Sequence, residues 1–190
     1  MAFACEFPYA TVGTGLLPVI PQKQGLLGTI LTFLRLKKKK AGRIMLVKRA
    51  DTMALHGGLW GVPGGYWRVG GEPSPADALF RENKEELGEA FAKKAAQLKM
   101  KDVTHVRINQ EPNSLFGLHD DAAEFQTNMH HLWRVWVNEK TCRLADVSFD
   151  REEENTAVGF FTIEEILAEP DKFAPWLPET LTLFQEEGHI

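Results

Sequence analysis

The sequence predicts an α/β fold, a mixed sheet flanked by helices. Three observations lead there. Apolar and β-branched runs recur along the chain, a well-punctuated helix sits near its middle, and two further helical patterns close it. Residues 27–36 and 43–50 read as paired strands, with Lys37 to Lys40 and Ala41-Gly42 as a solvated turn between them. The same lysines also read as a nuclear signal or a phosphate patch, but the strand that follows favours the turn. Trp60-Gly61-Val62-Pro63-Gly64-Gly65 is expected to be a short strand running into a glycine-rich loop.

The central helix is the most legible element. Ser74 can cap its start, Pro75 suits the first helical position, and Asp77 completes a Ser-x-x-Asp pattern. Gly88 is a natural stop. Ala90 to Met100 reads as a further short helix or an irregular connection, and Val103 to Ile108 and Met129 to Val137 as strands. The polar stretch Gln110 to Gln126, with Pro112, Gly117, Asp120, Asp121 and Glu124, is a long loop of the kind that borders substrates. Ala157 to Phe161 is apolar, and helical patterns near 163–168 and 178–187 are separated by Pro170 and Pro175.

Composition points to one globular domain spanning residues 1–190. The chain is 44% hydrophobic and 25% charged, and its net charge of −4 gives no general attraction for nucleic acid or an anionic membrane. Two cysteines, Cys5 and Cys142, provide neither a disulfide framework nor metal-ligand spacing. They read as free thiols in a reducing compartment, and a cytoplasmic protein is expected. The N-terminus lacks the basic start and apolar stretch of a signal peptide. The run Leu26 to Leu36 is too short and too interrupted to span a bilayer.

Chemistry concentrates in Arg81-Glu82-Asn83-Lys84-Glu85-Glu86-Leu87-Gly88. Glu82, Glu85 and Glu86 stand at i, i+3 and i+4 and share one helix face. Such a strip repels itself, and a divalent cation removes the repulsion; hard oxygen ligands suit Mg²⁺ or Mn²⁺. An ordinary solvated, charged helix face is the competing reading.

Together with Gly64-Gly65, this segment resembles the Nudix box, G-x5-E-x7-R-E-U-x-E-E-x-G-U with U apolar. Gly65 stands for the first glycine, Glu72 for the isolated glutamate, and Arg81-Glu82, Glu85-Glu86 and Gly88 for the helical core. Six residues rather than five separate Gly65 from Glu72, and eight rather than seven separate Glu72 from Arg81. Asn83 and Glu89 occupy positions that are normally apolar. The extra residues fall in the loop and at its junction with the helix, where they cost least.

The resemblance implies an α/β/α sandwich and a Mg²⁺- or Mn²⁺-dependent hydrolase of a nucleoside diphosphate linked to another moiety. Glu82, Glu85 and Glu86 would hold the metal, with Gly65 and Glu72 as further ligands. Arg81 would pair with a helix carboxylate such as Glu85. The general base in this family is a box glutamate or a carboxylate on a distant loop, here Glu153 or Glu154; an acid-rich hydrophilic loop is the bland alternative. Gly64, Gly65, Tyr66 and Trp67 are the candidate substrate contacts. Tyr66 and Trp67 could stack on a base, whereas core packing is the commoner explanation for Trp60.

Arg49, Ala50, Gly58 and Pro63-Gly64-Gly65 also fall at a spacing that resembles the coenzyme A diphosphatase branch. Ala54 and Val62 stand where that motif has an arginine and a phenylalanine. His130 and His131 alternate across a strand and cannot chelate one ion together. Many Nudix proteins form homodimers, although nothing in the chain specifies an interface. The alternative function is a Nudix-like domain that binds a nucleotide or a partner without hydrolysing anything.

Overall fold

Period-two alternation along the strands produces two cores, one on each face of a single sheet. The computed structural model describes residues 11–25, 29, 40–53, 56–67, 71–109, 126–147 and 154–190. Among the described residues seven strands are present: β1 (Thr11–Pro21), β2 (Ala41–Arg49), β3 (Trp60–Gly61), β4 (Gly64–Tyr66), β5 (Met100–Asn109), β6 (Gln126–Trp136) and β7 (Asn155–Phe161). The helices are α1 (Pro75–Leu87), α2 (Glu89–Ala96), α3 (Glu139–Cys142), α4 (Ile163–Ala168) and α5 (Leu177–Glu186).

Leu17 and Val19 of β1, Ile44 and Leu46 of β2 and Leu132 of β6 face one side. There they meet Ile163 and Ile166 of α4 and Leu177, Leu181 and Phe184 of α5. Leu16, Ile20, Met45, Val47 and Val135 face the other side. They meet Leu79 and Leu87 of α1, Phe91 and Ala95 of α2, and Cys142 of α3. The result is the expected sandwich, helices on both faces of a sheet. No helix among the described residues is long and apolar enough to cross a membrane.

The sheet is mixed. β1 runs parallel to β6 and antiparallel to β2 and β4, while β2 is also antiparallel to β3 and β7. Because β6 accompanies β1 from Thr11 to Val19, β2 and β4 must share the other edge of β1. β4 takes Gly13 to Gly15 and β2 takes Val19 to Pro21. In the gap between them Leu16 donates its N–H to the Pro63 carbonyl at 2.9 Å. Pro18 lies in that gap too, two residues on, outside both the β4 and the β2 registers. A proline is tolerated in a central strand for that reason.

The strand expected over 27–36 and the turn at Lys37 to Lys39 fall almost wholly outside the described residues. The sequence expectations differ from this arrangement in two places. β2 pairs with β1, a strand absent from those expectations. The supposed glycine-rich loop is in part a strand, β4, pressed against β1. Gly64 has φ +150°, and a Cβ there would meet the Thr14 carbonyl and lie 2.6 Å from Gly15 Cα. Gly64→Ala is expected to cost about 2 kcal/mol through this overlap, measured as a shift in the urea midpoint. An unchanged midpoint would mean that β4 does not hold this position in solution.

Candidate active site

Local chemistry sets α1 in place. Ser74 is its N-cap, with Oγ accepting the Asp77 N–H at 3.3 Å and donating to the Asp77 carboxylate at 2.5 Å. Gly88 ends it at φ +82°. The face turned to the sheet carries Ala78, Leu79, Glu82, Asn83, Glu86 and Leu87, all buried. Two carboxyl groups are thus taken out of water, which is costly unless they are bonded or paired.

Glu86 is 4% exposed and accepts a hydrogen bond from the Gly64 N–H at 2.7 Å. Burial pushes its carboxyl up to about 8, and the nearby charge of Glu82 adds to that. Gly64, Asn155 and the positive charge of Arg49 pull the other way and are outweighed. The folded protein therefore holds this proton between about pH 4.5 and about pH 8, where the unfolded chain has released it. Folded protein binds more protons in that window, so metal-free stability should fall as pH rises through it. Urea titrations in chelator at several pH values test this; Glu86→Gln should remove this component, and an unchanged slope would refute it.

Arg81 ties the other acids together. Its Nε donates to Glu72, and one terminal nitrogen donates to Glu82 at 2.5 Å and to Glu85 at 3.1 Å. Burial opposes its charge, but the hydrogen bonds and attraction of Glu72 and Glu82 prevail and push its pKa up. The expected pairing of Arg81 with Glu85 is present, within a larger cluster. Gly65 lies against this cluster, and a Cβ there would run into the Glu82 carboxyl.

The structure thus brings together Gly64, Gly65, Glu72, Arg81, Glu82, Glu85 and Glu86. Trp67 is partly buried, and its indole N–H donates to the Glu72 carbonyl at 3.1 Å. That bond ties down one edge of the ring proposed for stacking. The Tyr66 side chain and the whole of Glu153 lie outside the described residues. Glu154 is at the turn into β7, its carbonyl accepting the Ala50 N–H at 2.8 Å. Trp60 packs edge-on against Phe161, with ring centroids 4.9 Å apart. Asn155, beside Glu86, carried no sequence signal, because its placement depends on pairing with a distant strand.

Among the described residues no three acid, histidine or cysteine side chains already converge as a cation site. Arg81 draws three of the glutamates to itself, and Glu86 faces Gly64. The donor chemistry nevertheless fits a hard divalent cation: several carboxylates, one of them desolvated, beside a glycine whose missing side chain leaves room.

A family profile described as the NUDIX domain matches residues 29–184. Comparison with curated proteins gives no match. Among solved structures, the chain resembles a bifunctional NMN adenylyltransferase/ADP ribose pyrophosphatase from Francisella tularensis, complexed with AMP and manganese. The TM-score is 0.60 at 14% identity, covering 96% of this chain and 43% of that one. The NUDIX domain of NrtR from Shewanella oneidensis, complexed with ADP ribose, gives a TM-score of 0.57 at 12% identity, covering 95% and 92%. A MutT protein from Methanosarcina mazei gives 0.57 at 15% identity, covering 97% and 99%. These likenesses carry the fold, the profile carries the family, and the chain belongs to the Nudix hydrolase family.

Proposed function

We propose that the protein is a Mg²⁺- or Mn²⁺-dependent hydrolase that cleaves the diphosphate bond of a nucleoside diphosphate linked to another moiety. The observation that carries this reading is the cluster on α1: Glu82, Glu85 and Glu86 intact, packed beside Gly64-Gly65 and organised by Arg81. AMP with manganese in the Francisella structure and ADP ribose in the Shewanella domain support a nucleotide derivative as ligand.

A bound divalent cation would neutralise phosphoryl oxygens and lower the pKa of a coordinated water. Glu82, Glu85 and Glu86 would hold it, with Glu72 and the Gly65 backbone completing the set. Arg81 keeps the glutamates from scattering and leaves their strip poised. Gly64 and Gly65 let a diphosphate approach the backbone without a side chain in the way. Glu154, or Glu153 before it, is the proposed acceptor for the proton of the attacking water. A small-molecule substrate, a cytoplasmic location and a single domain belong to the same reading.

The longer loop between Gly65 and Glu72 favours a second reading, nucleotide binding without turnover. Phosphate release from nucleoside triphosphates, nucleotide sugars, dinucleotides and coenzyme A, with Mg²⁺ or Mn²⁺ and a coupled phosphatase, separates the two. Turnover lost in chelator and in Glu85→Gln supports the hydrolase and names its substrate. Silence across the panel, with binding still seen by calorimetry, replaces it with the binding module.

A further inference from the structure

Residue 155 is where strand alternation breaks. On β7, Gly159 and Phe161 face the core built on α4 and α5, since a Cβ on Gly159 would meet the Phe161 and Trp60 rings. Regular alternation would carry Ala157 and Asn155 to that same face. The ladder with β2 slips instead: Lys48 opposes Ala157, but Arg49 opposes Asn155, which leaves Thr156 as an extra residue. Such a bulge reverses the side on which the preceding residue projects. Asn155 accordingly lies on the α1 side, next to the Glu86 carboxyl.

There it is an anomaly. Asn155 is 3% exposed, and among the described residues neither its Oδ1 nor its Nδ2 has a partner at full hydrogen-bond geometry. A buried amide left so poorly satisfied costs stability, and an apolar side chain of similar shape would remove that cost. The amide does lie beside the Glu86 carboxyl. Gly64 already holds one oxygen of Glu86, Oε2, from the opposite element.

We infer that Asn155 is a positioning residue for the cation site, fixing the Glu86 carboxylate between β4 and the bulge of β7 so that Glu86 can ligate a divalent metal. The inference rests on the proposed metal-dependent site. Groups that orient a metal ligand in this way change affinity by about 10–100-fold when removed. The bulge then has a function: it turns onto the α1 side, next to Glu86, an amide that regular alternation would have carried to the opposite face.

The test uses Mn²⁺ alone as the probe, with free Mn²⁺ followed by electron paramagnetic resonance and folding followed by thermal melts in chelator. Asn155→Leu should weaken Mn²⁺ binding at least about tenfold while leaving the metal-free melting temperature equal or higher. Asn155→Ala, which leaves a smaller residue and a cavity, should show the same loss of affinity. A purely structural asparagine would give the reverse, a lower melting temperature with unchanged Mn²⁺ affinity in the folded protein, and would overturn the inference. If the unaltered protein fails to bind Mn²⁺, the inference and the metal-dependent reading fall together. Binding that is lost in Glu86→Gln but intact in both Asn155 variants removes the inference alone.

Discussion

Glu85→Gln should lower kcat/KM by about three orders of magnitude and leave the fold intact. The substitution keeps the shape and the helix propensity of the side chain, and it removes one charge and one anionic ligand. Glu85 is 23% exposed, so no buried charge is orphaned by the change. Arg81 retains Glu72 and Glu82. A lost metal ligand forfeits about 4 kcal/mol of charge stabilisation in the transition state, which corresponds to the rate effect. Initial rates at saturating Mg²⁺, with a thermal melt of the same preparation, measure both halves. Activity within tenfold of the unaltered protein would remove Glu85 from the cation site.

Arg81→Ala should act first on stability. The guanidinium is 20% exposed and bonds Glu72, Glu82 and Glu85 at once; Glu82 is 7% exposed. Removing one member of such a buried network leaves uncompensated carboxylates and costs about 3 kcal/mol, or about 10 °C in melting temperature for a chain of this size. A divalent cation offers the same acids a substitute positive charge. Saturating Mg²⁺ should therefore restore much of the loss in the variant, because a ligand of the folded state adds stability by mass action. An equal deficit in Mg²⁺ and in chelator would show that Arg81 and the cation do not share these glutamates.

What could be read beforehand was what local chemistry determines. Ser74, Pro75, Asp77 and Gly88 bound their helix by interactions within a few residues, and α1 begins and ends accordingly. β5, β6 and β7 announced themselves through apolar and β-branched runs. β1 did not, because Gly13, Gly15, Pro18 and Pro21 argue against a strand when only neighbours are considered. Its stability comes from β6 on one side and the shared edge on the other, partners far away in sequence. Gly64-Gly65 likewise looked like loop, since pairing with β1 leaves no mark on a pair of glycines. Within the site, the helix spacing pointed to the strip of glutamates and to Arg81 beside it. The approach of Asn155 required the bulge of β7, which no periodicity encodes.

The pairing of β7 with β2 also sets the order in which the protein can be made. β2 and the glutamates of α1 leave the ribosome long before Asn155, yet Arg49 meets Asn155, and Ala50 bonds Glu154, only when β7 arrives. Until then β2 has an open edge, a hazard for premature association. The nascent chain carries the whole acidic strip without the strand that completes its surroundings. Non-local pairing of this kind is slow to form, so the proposed cation site is complete only after β7 has been synthesised and has paired with β2.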